Sequence, residues 1–410
     1  MKTLSFFYTN RRFLAFGLAC TLASNFGQTF FIALFSSHLR EAFQLSHGEF
    51  GALYSTATLT SAVIILWAGR LIDRVDLRLY AACILCGLAL SSGAMAMASS
   101  LVGLGMALVG LRLFGQGLLR HTAVVSQARY FTQARGRAMS LVGLGFPLAE
   151  ATFPALLVLA LTALSWREAW AWVSLYITVI HLPLILWLLK GHGERHRQLE
   201  ENLTKEGHLA NAVTIRSITA DWRFQMIIPA SLMGPFMMTG LFFHQIAIAK
   251  AKGWSLELIA TSFPAFAAAT VVSSLITGNL VDRFGPGRIL PFFIWPQVLA
   301  LLILANTSHP LSVPVYLAFG GLTTGASTVL MSATWAETFG VLNLGKVRSL
   351  TTSLAVLSTA ISPIWGGWLL DLGWSIEAIA YSAALISTTT GLMVLAPARN
   401  LHKARAQNIS

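Results

Sequence analysis

The chain has 410 residues, 55% of them hydrophobic and 11% charged, with a formal net charge of +12. An ordinary soluble domain carries about 25% charged residues, so a string of soluble domains is excluded. A membrane helix needs about 20 mostly apolar residues, and twelve candidate runs follow one another near 13–37, 50–69, 79–98, 102–127, 138–163, 169–189, 224–248, 258–277, 289–305, 312–336, 349–370 and 376–396. Backbone polar groups in lipid must be satisfied within each helix. The expected class is therefore an all-α polytopic membrane protein with twelve transmembrane helices.

At the N-terminus, Arg11 and Arg12 precede an apolar run that continues to Phe35, too long for the core of a signal peptide. Gly17 stands three residues before Cys20, where a lipoprotein signal carries a large aliphatic residue. The run is read as an uncleaved first span, and it carries Asn25, Gln28 and Thr29 as candidate cavity residues. Cys20, Cys83 and Cys86 all fall inside spans and make no disulfide framework.

Between spans two and three the chain reads "GRLIDRVDLR", Gly69 to Arg78, a dense cluster of charge in an apolar sequence. Span four carries "GLRLFGQGLLRHTA", with Arg112, Gln116 and Arg120 at four-residue spacing, which puts them on one face of an α-helix. A charge at bilayer depth costs about 2.5–3.5 kcal/mol on insertion scales, so such residues are functional candidates. Arg120, nearer the end of the span, has the option of snorkelling. Span five carries Glu150 in "GLGFPLAEATFP", at a depth that sets it opposite Arg112. A buried carboxylate beside a cation stays ionised until that partner is displaced. Glu150 is thus a candidate proton carrier, with a purely structural ion pair as the other reading.

The segment 190–223 is the one long polar stretch, and it separates the halves. Its His192, His196 and His208 read as part of a soluble tether, not as metal ligands. In the second half, span seven carries His244 and Gln245. Span ten carries Thr323, Thr324, Ser327, Thr328 and Ser332, with Trp335 beyond them. Of these His244, Gln245 and Thr324 are the candidate cavity residues, although Ser and Thr also serve as interhelical glue. His181 reads as structural.

A second charged loop, "GNLVDRFGPGR", runs from Gly278 to Arg288, 209 residues after the first. Ser46 and Ser255 keep that offset; Trp166 and Trp374 are 208 apart, and Arg137 and Arg348 are 211 apart. One recurring offset, with six spans on each side of it, indicates a duplicated half. The expected organisation is two pseudo-symmetric six-helix bundles, 1–189 and 224–397, joined by the basic linker 190–223 and followed by a tail, 398–410. With a cytoplasmic N-terminus, the cytoplasmic segments hold 22 of the 28 Lys and Arg and the opposite loops hold four. That is the positive-inside bias. The basic balance therefore reflects orientation and not a nucleic-acid partner, and both termini are expected in the cytoplasm.

These loops resemble the G-x-L-x-D-R-x-G-R-R/K signature of the major facilitator superfamily, between spans two and three and between eight and nine. The second copy keeps Gly278, Leu280, Asp282, Arg283, Gly285 and a basic residue at Arg288. The first keeps Gly69, Leu71, Asp73, Arg74 and Arg78, but has Asp76 where the glycine sits. The resemblance implies substrate binding near the midplane between two rocking halves. It also implies a cytoplasmic latch in which Asp73 seats against the start of span eleven near Arg348, and Asp282 against the start of span five near Arg137. Arg112, Gln116 and Gly117 resemble the R-x-x-x-Q-G signature of span four, associated with proton coupling. Phe146, Pro147, Ala149 and Glu150 depart from the G-x-x-x-G-P-x-x-G-G of drug–proton antiporters.

"FGQTFFIALF" in span one, with the span-four signature, resembles the monocarboxylate and oxalate–formate branch, though spans eight and eleven lack the cation often found there. The arginines of nitrate transporters on spans two and eight are also missing. The resulting expectation is a monomeric secondary transporter of the inner or plasma membrane, driven by protons, with a small organic anion as its substrate. It needs no cofactor or metal beyond the ion gradient. Efflux of a hydrophobic drug or metabolite is the alternative transporter reading. A membrane enzyme has no supporting metal cluster, nucleotide loop or nucleophile–base pair, and a transport-dead sensor has no appended soluble domain.

The charge split yields one prediction. In a cysteine-free background, single cysteines placed in the linker 190–223 and at the C-terminus will be shielded from an impermeant thiol reagent added outside intact cells. Labelling of either from outside reverses the orientation.

Overall fold

The computed structural model describes residues 2–73, 75–131, 135–191, 193, 214–340 and 343–407. Among the described residues there are helices and no strands. Ten helices are long and apolar enough to cross a membrane: His47–Ala68, Leu77–Met97, Leu101–Gln127, Ala138–Leu161, Trp166–Leu188, Trp222–Phe243, Leu256–Phe284, Ser312–Phe339, Lys346–Asp371 and Ile376–His402. Span one is a bent pair, Tyr8–Gly27 and Thr29–Phe43, turned by 44°. Span nine is shorter than its apolar run, helical only over Trp295–Asn306 after a turn at 290–294. Pro291 and Pro296 account for this, because neither has an N–H to donate to a preceding turn. The fold is the twelve-helix, all-α arrangement expected from the apolar runs.

Three boundaries differ from the sequence reading. Span seven stops at Phe243, and a separate helix, Gln245–Lys252, follows it. The linker contains a short helix, Ile215–Ala220, capped by the Thr214 hydroxyl accepting from Ser217 N; 194–213 lie outside the described residues. The expected tail is helical, as Leu395–Gln407 continues the line of span twelve.

The duplication extends to backbone detail. Phe35 (φ −94°, ψ −1°) kinks span one and His244 (φ −95°, ψ 13°) kinks span seven, at the same 209-residue offset. Each kink leads into an eight-residue helix, Ser36–Phe43 or Gln245–Lys252. Each of these ends in a left-handed residue, Gln44 at φ 54° and Gly253 at φ 67°. Ser46 and Ser255 then open spans two and eight, their hydroxyls accepting from Glu49 N (3.1 Å) and Leu258 N (3.1 Å). Such N-caps satisfy amides that have no intrahelical partner.

The two charged loops solve one problem differently. Gly285 ends span eight at φ 80°, where a side chain would be strained. Its counterpart Asp76 instead caps span three, its carboxylate accepting from Arg78 N (2.9 Å) and Leu79 N (3.1 Å). The departure from the glycine of the signature is therefore a helix start.

The chain forms two compact units, Met1–Gln44 with Leu53–Leu209, and Leu45–Ala52 with Ala210–Ser410. Within the first, span one meets span five where the Thr21 hydroxyl donates to Val142 O at 2.6 Å. Within the second, spans eight and ten cross through small residues. A Cβ on Gly321 would stand 3.1 Å from Ala269 Cβ, and one on Gly325 would meet Thr270 O and stand 3.0 Å from Ser274 N. Ser273 Oγ donates to Leu322 O across the same crossing, at 2.6 Å. Lipid is as apolar as a leucine side chain, so close packing and such hydrogen bonds hold the helices together. Gly325→Val will force the crossing apart and destabilise the protein by about 1–3 kcal/mol, read as a lower unfolding midpoint in detergent.

Candidate transport site

Span one is broken where its polar residues lie. The helix Lys2–Ala23 gives way to a tight 3-10 turn over Ser24–Gly27, and Gln28 is extended (φ −82°, ψ 153°). Side chains compete for the last carbonyls of the helix. Ser24 Oγ donates to Thr21 O at 2.7 Å, and Asn25 Nδ2 donates to the same oxygen at 2.8 Å. Local bonding of this kind offers the backbone an alternative to helix. Gly27 then packs backbone to backbone against span four, where a Cβ would stand 2.7 Å from Gln116 N and 2.9 Å from Gly115 Cα. Span four is itself wound as a π-helix over Leu111–Leu119. Single π-turns of this sort recur at functional sites.

Arg112 ties these irregularities together. It is fully buried, its Nε donating to Thr58 Oγ1 at 3.0 Å and its Nη1 to Gly27 O at 3.1 Å. Nη1 also lies 3.5 Å from Thr29 Oγ1, and the guanidinium stands 4.9 Å from the centre of the Tyr54 ring. Tyr54 donates from its hydroxyl to Thr29 Oγ1 at 2.9 Å. Arg112 Nη2 is buried without a partner. The cradle is made of hydroxyls, a carbonyl and a ring; among the described residues no carboxylate pairs with Arg112.

This corrects two expectations. Arg112 and Glu150 do not form the pair that the sequence suggested. Arg112 instead takes Thr58, the Gly27 carbonyl and the Tyr54 ring as its partners. Nor do Arg112, Gln116 and Arg120 share one environment, since Arg112 is buried, Gln116 half-buried and Arg120 exposed. The π-turn over 111–119 runs through Arg112 and Gln116 and ends just before Arg120. Arg120 lies over the ring of Phe146, 4.8 Å from its centre, one turn before the half-buried Glu150 on span five. One turn further, Phe153 stacks on Phe26 of span one at 4.9 Å. Spans one, four and five of the first unit thus meet along Phe146, Glu150 and Phe153.

Asn25 is buried beside the break and Gln28 is half-buried within it. In the second unit His244 sits at the kink, 8% exposed, with Nε2 3.2 Å from Pro363 O, and Gln245 is 2% exposed beside it. Thr324 donates to Gly320 O in its own helix at 3.0 Å, and Trp335 belongs to the apolar core with Phe224. An apolar cavity of about 50 Å³ adjoins His244, walled by Met237, Leu301, Trp365 and Ala380 among others, and has room for little more than a methyl group. His181, read as structural, has Nε2 3.0 Å from Ala19 O and Nδ1 3.3 Å from the Tyr176 hydroxyl.

Of the nominated latch residues, Gly69 has its carbonyl 3.2 Å from His121 Nε2, and Arg78 is exposed at the start of span three. Gly278, Asp282 and Arg283 lie in the last turns of span eight, and Arg348 is exposed near the start of span eleven. Arg74 and the side chains of Asp73 and Arg137 lie outside the described residues. The sequence reading missed Tyr54 and Thr58, which hold Arg112 from span two. Their four-residue spacing, in an otherwise apolar helix, was the available signal.

Residues 17–310 and 233–408 match the sequence model of the Major Facilitator Superfamily. The chain belongs to that superfamily and is a membrane transporter. Among solved structures it is similar in fold to a bacterial homologue of the human lysosomal transporter Spinster. The inward-facing, occupied form of that protein matches at 15% identity and a TM-score of 0.61, covering 97% of each chain. The inward-facing, unoccupied form matches at 15% identity and a TM-score of 0.59, covering 96% of each. No curated protein matches the sequence.

The corrected pairing is testable by double-mutant cycles on thermal unfolding. Arg112→Ala and Glu150→Gln will be additive to within about 0.5 kcal/mol, whereas Arg120→Ala and Glu150→Gln will couple by more than that. Arg112→Ala alone will destabilise by about 1–3 kcal/mol, because it strands buried hydroxyls and the Gly27 carbonyl.

Proposed function

We propose that the chain is a proton-coupled secondary transporter that works by alternating access and carries a small organic anion such as a monocarboxylate. The observation that supports this reading is the Arg120–Glu150 neighbourhood: an exposed guanidinium over the Phe146 ring, at 4.8 Å, one turn from a half-buried carboxylate on the next span. A substrate carboxylate competes for the guanidinium that serves Glu150, since charge-assisted, two-pronged bonding suits both. Glu150, losing its cation in low-polarity surroundings, takes up a proton. Anion and proton are then loaded together, and release of the anion restores the original pair.

In this reading the coupling role passes from Arg112 to Arg120. Arg112 becomes a positioning residue that fixes the break in span one, with Asn25, Gln28 and Gln116 around it. His244, Gln245 and Thr324 are the second unit's proposed contribution to the cavity. The loops bearing Asp73 and Asp282 are proposed to latch the cytoplasmic side. The protein works as a monomer in the inner or plasma membrane, with both termini in the cytoplasm and the proton gradient as its only co-reactant.

The test is uptake into proteoliposomes under an imposed pH gradient, with lactate, pyruvate, formate and oxalate as anions and ethidium as a hydrophobic cation. Glu150→Gln will lose gradient-driven accumulation by about tenfold or more while keeping counterflow exchange, because exchange needs no net protonation cycle. Arg120→Ala will lose both activities, and Arg120→Lys will keep part of each. A well-folded Glu150→Gln protein that still concentrates an anion against its gradient removes Glu150 from coupling. Gradient-driven ethidium extrusion without anion uptake replaces this reading with efflux.

A further inference from the structure

Span two changes unit along its length. Leu45–Ala52 groups with the second unit, and the chain from Leu53 onward groups with the first, although His47–Ala68 is one helix. Asp371, the last residue of span eleven, binds its first turn. Asp371 Oδ2 accepts from Ser46 Oγ and from Gly48 N, each at 2.7 Å, while Oδ1 accepts from His47 N at 3.1 Å. A carboxylate at the positive start of a helix, taking amide and hydroxyl donors, makes charge-assisted bonds. Glycines bring the backbones together around it. A Cβ on Gly48 would stand 2.6 Å from Asp371 Oδ2, one on Gly51 2.9 Å from Pro363 C, and one on Gly367 2.8 Å from His47 C. Phe50 stacks on Phe243 beside them at 5.2 Å.

Capping alone does not explain Asp371. Ser46 and Glu49 already form a reciprocal cap, with Glu49 N donating to Ser46 Oγ (3.1 Å) and Ser46 N to Glu49 Oε2 (2.8 Å). The duplicated half provides a control. The 209-residue offset carries Ser46 to Ser255 and Asp371 back to Thr162. Ser255 caps only its own helix, and the Thr162 hydroxyl donates to Leu159 O in its own helix. Among the described residues, the equivalent positions of the other half therefore form no such clip.

We propose that Asp371 is a positioning residue for transport. Its ionised carboxylate is a releasable clip that keeps the first turn of span two on the second unit, and protonation frees that turn. The inference rests on the alternating-access reading above, in which span two must be able to part from span eleven. The facing titratable groups are His47 and Glu49 on span two and His244 at the kink of span seven, whose ring centre lies 6.4 Å from that of His47. The sign follows directly. The clip is intact while Asp371 is ionised and is lost as pH falls through its protonation.

Hydrogen–deuterium exchange of the full-length protein in lipid nanodiscs reads the first turn without needing a substrate, so this result stands or falls separately from the transport assay. In Asp371→Ala, peptides covering 45–52 will exchange about tenfold faster, while those covering 312–339 will be unchanged. Asp371→Asn keeps an acceptor oxygen without the charge and will fall between Asp371→Ala and wild type. In the wild type, exchange of 45–52, corrected for its intrinsic pH dependence, will rise only as pH falls below about 4, and in Asp371→Asn it will not. Unchanged protection in Asp371→Ala, or a pH-independent wild type, overturns the proposal. If Asp371→Ala loosens the whole protein, Asp371→Asn decides: local acceleration of 45–52 supports the clip, and none overturns it.

Discussion

The hydrocarbon core of a membrane supplies no water to a broken helix, so every carbonyl freed there must find a partner within the protein. The architecture of the first unit depends on how this chain meets that demand at Ser24–Gln28. Span one gives up its regular ladder for a 3-10 turn and an extended residue. The Gly27 carbonyl at that point takes the guanidinium of Arg112. The arginine needs partners as much as the carbonyl does, and Thr58 and the Tyr54 ring on span two supply the rest. Two features that would each be costly in lipid, a broken helix and a buried cation, stabilise one another.

That arrangement changes the meaning of an arginine inside the membrane. A buried cation invites a search for a carboxylate, and Glu150 lies at a suitable depth in the sequence. The chain instead surrounds Arg112 with neutral oxygen atoms. Dipoles that are already in place solvate a charge without neutralising it, so an anion that reaches this region still meets a positive potential. Arg120 is the complementary case, exposed and lying over the Phe146 ring one turn from Glu150. One span thus carries a buried cation that holds structure and an exposed one, with a π-turn running between them.

Much of this was legible in the sequence. The twelve apolar runs, the 209-residue repeat and the charged loops fixed the fold and the superfamily, because bilayer thickness and backbone satisfaction leave few alternatives. The nominated polar residues of span one do mark its break. The pairing of Arg112 with Glu150 was read from shared depth alone, and depth does not reveal that Thr58, the Gly27 carbonyl and the Tyr54 ring already surround the guanidinium. The proline pair Pro291 and Pro296 did signal the shortening of span nine, yet an apolar window passes over it. Asp371 was invisible for a different reason: it lies 325 residues from Ser46, and no local pattern links them.

Duplication makes the differences between the halves informative. Where both copies keep a feature, such as the kinks at Phe35 and His244 and the left-handed caps that follow, the common fold requires it. Where the copies diverge, the shared scaffold is not the reason. Asp76 replaces a left-handed glycine with a helix cap, a local exchange of one stabilising device for another. Arg112 and Asp371 differ from Asp76 because each connects separate helices, and the offset leads to Gly321 from Arg112 and to Thr162 from Asp371. Gly321 is a contact point where spans eight and ten close on one another, the very opposite of a buried charge. Span four thus carries a polar anchor at the position where its counterpart, span ten, carries a packing glycine. An inherited symmetry supplies two similar bundles, and the charges added to one copy alone give them different work.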